Sequence, residues 1–246
     1  EMQIEAADGR RKTILNYALP IRGEEDRIVG AVAVNVDITG RKADERREEL
    51  LAAAGAVLST PLEMDGRLKR LAALVAGRMA DYAVIDLLDG EGELRRLEVG
   101  HGDGEEQAAL AERLRRHPSE AGFWEGTTRA VERGEVVLVE EVPPEGTGDV
   151  FEQPGHAVLA RELGARSILV VPLKADGRVT GALTLISTRP ERLYGRADVD
   201  VAKELADRMA LALENVRLFE KAQRAIRERV SEIADPSHPP LGYRAA

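Results

Sequence analysis

The chain contains no cysteine. That single absence removes disulfides, thiolate catalysis, Cys-ligated zinc and thioether-linked chromophores. It fits a reducing compartment, and the cytoplasm is the expected location. Aromatic residues are scarce, at 3% of 246 residues, with one tryptophan, Trp124. No apolar run approaches the roughly 20 residues needed to span a bilayer, so no membrane segment is expected within this stretch. Positive charge is in deficit: 35 Lys and Arg stand against 44 Asp and Glu, for a net charge of -9. A phosphate backbone would be repelled, so nucleic acid is not an expected partner. The histidines are His101, His117, His156 and His238, and no two sit at helical ligand spacing, so no zinc site is expected. No nucleophile–base pair is readable either, and no enzymatic activity is expected in these residues.

What the chain does have is a heptad stripe. Leu205, Met209, Ala212, Val216, Phe219, Gln223, Ile226, Val230 and Ile233 follow one another in alternating steps of four and three. All but Gln223 are apolar, and a 3.5-residue repeat lets two helices supercoil. The expected dimer seam is Leu205, Met209, Ala212, Val216, Phe219, Ile226 and Val230. A shorter stripe, Ala43, Arg47, Leu50, Ala54 and Val57, marks a second helix upstream. A homodimer joined along these helices is the expected assembly.

Between the stripes the pattern alternates strands and helices. Residues 11-22 and 27-37 read as a hairpin around Gly23-Glu24-Glu25-Asp26. The chain begins in what reads as a strand, so it is expected to be part of something longer. Asp37 and Thr39 are placed to accept the first free N–H groups of a charged helix from about 41. An amphipathic helix over 62-80 buries Leu68, Leu71, Ala72, Val75 and Met79. Tyr82 to Leu88 and Glu93 to Val99 form two strands about an Asp89–Gly92 turn. A helix is expected over 105-116, a short strand over 136-139, a loop from Val142 to Gly155 and a short helix from His156 to Leu163. Strands over 164-173 and 180-187, joined at Asp176-Gly177, precede the long helix from about Asp198. This order predicts an α+β domain with one antiparallel sheet and helices packed on it.

Asp37-Ile38-Thr39, closing a hairpin before a helix, resembles the end of a PAS domain. Residues of about 62-221 resemble a GAF domain. The resemblance is carried by Arg129 to Val139, by Gly164 to Leu173 with Gly177 and Gly181-Ala182-Leu183, and by Ala210 to Phe219. Gly164 would allow a tight helix exit, and Gly181 the approach of a neighbouring backbone. The organisation expected is a PAS-like terminal hairpin over 1-40, a linker helix over 41-60 and a GAF domain over 61-221. An outgoing signalling helix over 222-234 and a disordered tail over 235-246 follow. The resemblance implies a GAF-like antiparallel sheet flanked by helices, with long signalling helices at both ends. It implies a sensory module that relays a small-molecule or upstream PAS signal to an output domain, a histidine kinase first among them.

Family ligands can be weighed against the residues. Covalent bilin attachment and GAF-type methionine sulfoxide reduction both require the missing cysteine. The Asn-Lys-Phe-Asp-Glu signature of cyclic-nucleotide binders is absent. The ligand-pocket candidates are Phe123, Trp124, His156, Leu159, Leu163 and Ser167, of which Leu159, Leu163 and Ser167 follow from the resemblance alone. The resemblance also allows haem ligation by His156; a ligand-free dimerisation scaffold is the other alternative. Gly100-His101-Gly102-Asp103-Gly104 reads as a flexible loop rather than a nucleotide site, because its acids would oppose an anion. Glu140 and Glu141 read as solvated, since neighbours on an extended chain face opposite ways. Ser237-His238 resembles a phosphoacceptor pair, but Pro236, Pro239 and Pro240 forbid the helix such a site needs.

Overall fold

Two separate antiparallel sheets account for all the strands of the computed structural model, which describes residues 1–6, 11–60, 64–101, 105, 108–109, 124–143, 151 and 154–234. The chain divides into two compact units, Glu1–Ala53 and Ala54–Ala246. The expected tail over 235-246 lies outside the described residues, as does most of the helix expected over 105-116.

In the first unit, β1 (Met2–Glu5), β2 (Arg11–Arg22) and β3 (Ile28–Asp37) pair in that order. Glu24–Asp26 form the turn of the β2–β3 hairpin. Pairing sets Tyr17 opposite Val34 and Leu19 opposite Val32, so Leu15, Tyr17, Leu19 and Ile21 share one face with Val32, Val34 and Val36. That face is open, with Tyr17 58% and Leu19 69% exposed. The helix α1 (Thr39–Leu58) starts two residues earlier than the sequence predicts. Asp37 Oδ1 accepts the Thr39 N–H at 3.0 Å, as expected. Thr39 departs from expectation: its hydroxyl accepts the Thr13 N–H of β2 at 2.9 Å. Thr39 is itself the first helical residue, which sets its side chain beside β2 rather than ahead of the helix. The Thr39 hydroxyl and N–H, with Lys12, hold the Asp37 carboxyl down at about 2.

The second unit is built on β4 (Tyr82–Leu88), β5 (Leu94–His101), β6 (Val137–Val139), β7 (Ser167–Ala175) and β8 (Arg178–Ser187). Their spatial order is β5-β4-β8-β7-β6, antiparallel throughout. The helices are α2 (Met64–Arg78), α3 (Glu125–Arg133), α4 (Pro154–Glu162) and α5 (Arg196–Ala234). Successive strand residues point to opposite faces. Ala83, Ile85, Leu169, Val171, Leu183 and Leu185 therefore share one face, and all are buried. The apolar stripe Leu68, Leu71, Ala72 and Val75 of α2 is buried with it, as are Leu205, Ala206 and Met209 of α5. Each fully covered leucine contributes about 1.5–3 kcal/mol of burial.

Two local devices fix the register. The β7–β8 hairpin turns through Asp176 and Gly177 with φ of 49° and 76°, the double left-handed turn that matches strand twist. α4 ends where Gly164 takes φ 67°, with Gly164 N–H on the Arg161 carbonyl and Ala165 N–H on the Ala160 carbonyl. Asp81 ties the end of α2 to the exit of β8, accepting from the Thr188 N–H at 2.8 Å and pairing with Arg189 at 3.0 Å. Tyr194, also buried, donates its hydroxyl to the Met79 carbonyl at 3.2 Å. Gly100 and His101, expected in a loop, close β5, where the His101 ring lies 4.6 Å from that of Tyr82.

Candidate functional site

The opposite face of the second sheet carries a different population. Tyr82, Val84, Val99, Val137, Ile168, Val170, Ala182 and Ile186 form one cluster, capped by Ala130 of α3 and by Ala160 and Leu163 of α4. The two short helices therefore roof this face and enclose a chamber between roof and sheet. Thr127 of α3 and Thr184 of β8 meet through their hydroxyls at 3.4 Å, which pins α3 over the middle of the sheet.

Polar groups gather here among apolar neighbours. His156 of α4 is 6% exposed, and its Nδ1 lies 3.1 Å from both carboxylate oxygens of Glu125 at the start of α3. This pair clamps the two roof helices together. Trp124 and Phe151 pack against the cluster, their ring centroids 5.9 Å apart. Asp86 points from β4 to the same face, because its pairing with Ala182 continues the unbroken register of Val84 with Thr184. It is 1% exposed. Its Oδ1 accepts from Arg96 Nε at 3.0 Å, while Oδ2 has no protein partner among the described residues. Burial pushes the Asp86 carboxyl up, and Arg96 only partly offsets this.

The structure brings together Trp124, His156, Leu159 and Leu163 of the expected pocket residues. Phe123 lies outside the described residues. Ser167 does not belong to the pocket: it shares the parity of Leu169, so it faces the α2 and α5 side. There it donates to the Val139 carbonyl at 2.9 Å and accepts the Tyr194 N–H at 3.0 Å. Its neighbour Ile168 faces the chamber instead. Asp86, Glu125, Thr127 and Thr184 escaped the sequence reading. The readable signal was Asp86, a lone carboxylate inside Tyr82-Ala83-Val84-Ile85-Asp86-Leu87-Leu88. Glu140 and Glu141 lie past β6 and are exposed. Among the described residues, no three metal-type side chains gather as a cation site.

A second surface lies along α5. The heptad stripe changes role midway. Leu205 and Met209 are fully covered by the domain's own sheet and cannot touch a second copy, so they leave the dimer seam. Ala212 and Val216 are half-buried and line a groove of about 490 Å³ with Gly55, Leu58, Leu211 and Phe219. Beyond it Phe219 is 64% and Ile226 62% exposed. Val230 lies on the same helix. Among the described residues, no helix is long and apolar enough to cross a membrane.

An antiparallel sheet with two helices on one face and a chamber roofed by two more defines an α+β ligand-sensing fold. The family model of the GAF domain matches residues 64–214, and the chain belongs to that family. GAF domains are sensory modules of signal transduction that bind small ligands. The fold is similar to the cyanobacteriochrome TePixJ GAF domain, with 20% identity, a TM-score of 0.51, and 65% of this chain and 95% of that one covered. It is also similar to free methionine-R-sulfoxide reductase from Neisseria meningitidis, crystallised with its substrate, with 22% identity, a TM-score of 0.51, and 72% and 93% covered. A third is the GAF domain of an Acinetobacter phosphoenolpyruvate-protein phosphotransferase, with 15% identity, a TM-score of 0.51, and 71% and 97% covered. No curated protein matches the chain.

Proposed function

We propose that the chain is the sensory segment of a dimeric, cytoplasmic signalling protein. The closing strands of a PAS domain over 1-40 lead through a linker helix over 41-60 into the GAF domain over 61-221. The helix over 222-234 carries the signal out. The observation that carries this reading is the course of α5. One half of the helix is core of the sensing domain, and the other presents Phe219 and Ile226 to solvent on the same heptad. A ligand that shifts the sheet would shift the helix, and with it the packing of two copies. The occupant proposed for the groove at Ala212 and Val216 is a second copy of this chain, because the apolar heptad continues past it. The output proposed is a histidine kinase. The open apolar face at Tyr17 and Leu19 supports the PAS assignment, since a sheet of this kind needs a covering layer.

Light scattering on the chain, beside a Val216→Glu/Ile226→Glu double mutant, tests the reading. A dimer that the mutant splits supports it, and a monomeric wild type overturns it. One observation keeps a second reading. Glu125 fixes the His156 ring through Nδ1, as carboxylates do for metal-bound imidazoles, and a haem iron would take Nε2. A Soret band lost in His156→Ala would carry that reading, and its absence would remove it.

A further inference from the structure

Asp86 is the one carboxylate that the chamber-side face of the sheet holds almost wholly out of water. It sits among Tyr82, Val84 and Ala182 on a strand with neighbours on both sides. A structural ion pair there would be expected to satisfy both oxygens, because an unmet buried acceptor is costly. Only Oδ1 is met, by Arg96, and Oδ2 is an open acceptor. The residue is not needed for strand pairing, which its backbone makes with Arg96 and Ala182. Close by on the same face, the Thr127 and Thr184 hydroxyls share one long contact of 3.4 Å, which leaves hydrogen-bonding capacity on both.

Charge narrows what can bind. Asp86 and Arg96 already form a close pair of opposite sign. A ligand cation would gain from Asp86 and lose a comparable amount to Arg96. A ligand anion would face Asp86, and Glu125 at the roof. A neutral group suffers neither loss. Resting on the reading of this chamber as the ligand site, we propose that Asp86 anchors a neutral small molecule through an N–H donor, with the Thr127 and Thr184 hydroxyls meeting an adjacent carbonyl. The ligand class is an amide or cyclic ureide on an apolar body, the body lying against the aromatic pair Trp124 and Phe151.

Four probes of one shape test this on the full chain: benzamide, N,N-dimethylbenzamide, benzylammonium and benzoate. The readout is the fluorescence of Trp124, the sole tryptophan. Benzamide should saturate, at least about tenfold tighter than the other three, because a site built around a donor rejects analogues lacking it. Asp86→Asn and Asp86→Leu should each lose that preference by about tenfold or more. In the ligand-free chain, Asp86→Asn should raise Tm by about 2 °C or more, since an anchoring residue is held against stability. Equal binding of benzamide and its dimethyl form, or an unchanged preference in both variants, overturns the role of Asp86 and leaves the chamber reading standing. A lowered Tm for Asp86→Asn with no loss of preference makes Asp86 structural and overturns the proposal too. Saturation by none of the four probes overturns both the ligand class and the chamber.

Discussion

Gly181 offers the sharpest test of how this sheet is assembled. It lies on β8, opposite Leu87 of β4. A methyl group at this position would overlap the Asp86 carbonyl oxygen and lie 2.9 Å from the Leu87 Cα. Neither neighbour is the free end of a flexible side chain, so relief requires the two strands to separate by about 1 Å, with an overpacking cost of about 1–3 kcal/mol. The separation would also weaken one or two ladder hydrogen bonds, each worth about 1 kcal/mol. Gly181→Ala should therefore destabilise the domain by about 3 kcal/mol, which in a domain of this size lowers Tm by about 6–12 °C. Two alanines serve as references. Gly164→Ala meets no atom within 4 Å but must hold φ 67°, so only the left-handed strain of about 1–2 kcal/mol applies. Gly77→Ala, in α2 with open space around it, should raise Tm slightly through about 0.5–1 kcal/mol of helix propensity. Thermal unfolding followed by far-UV circular dichroism orders the three. A Gly181→Ala drop below about 2 °C would refute the close approach of β4 and β8.

Three further outcomes follow from the same geometry. Leu205→Ala should cost about 2–5 kcal/mol of stability, because it leaves a cavity beneath the sheet, whereas Phe219→Ala should leave Tm nearly unchanged and lower the mass in solution. A reversed pattern in calorimetry and light scattering would invert the roles assigned to the two halves of α5. Burial raises the Asp81 carboxyl, but the Thr188 N–H and Arg189 outweigh it and hold the group below its ordinary value. Its contribution is therefore complete above about pH 4 and is lost as pH falls through the lower folded value. Asp81→Ala should cost about 2 kcal/mol at neutral pH, with a gap to wild type that closes in acid; a gap independent of pH in urea titrations would contradict the pairing. Tyr194→Phe removes one buried hydroxyl from the Met79 carbonyl and should cost about 1 kcal/mol in the same titrations, without changing binding of probes to the chamber.

Much of the fold was legible because periodicity encodes burial. The stripe Leu68, Leu71, Ala72 and Val75 named the covered side of α2, and the apolar run through Tyr82 to Leu88 named a central strand. Asp176-Gly177 named its turn, since few other pairs accept two positive φ angles. The site was less legible for two physical reasons. A stripe tells which residues share a side but not what covers them, so Leu205 and Met209 were grouped with Phe219 although the sheet claims the first two. Strand parity reverses with one residue, so Ser167 could be placed in the chamber when Ile168 is the residue that faces it. Asp86 was hidden differently. Its role depends on Arg96, which β4–β5 pairing brings opposite it, and on a bulge between Ile85 and Asp86.

The length of α5 turns small movements into large ones. From Leu213, the last residue it buries, about 20 residues run on to Ala234. That is an arm of roughly 30 Å at 1.5 Å per residue. A tilt of about 5° at its seat on β7 would sweep the far end through roughly 2.5 Å, half the rise of a helical turn. The sheet itself need move by only a fraction of an ångström. The domain would thus act as a fulcrum, and the geometry of whatever follows Ala234 would be set by angles at Leu205 and Met209.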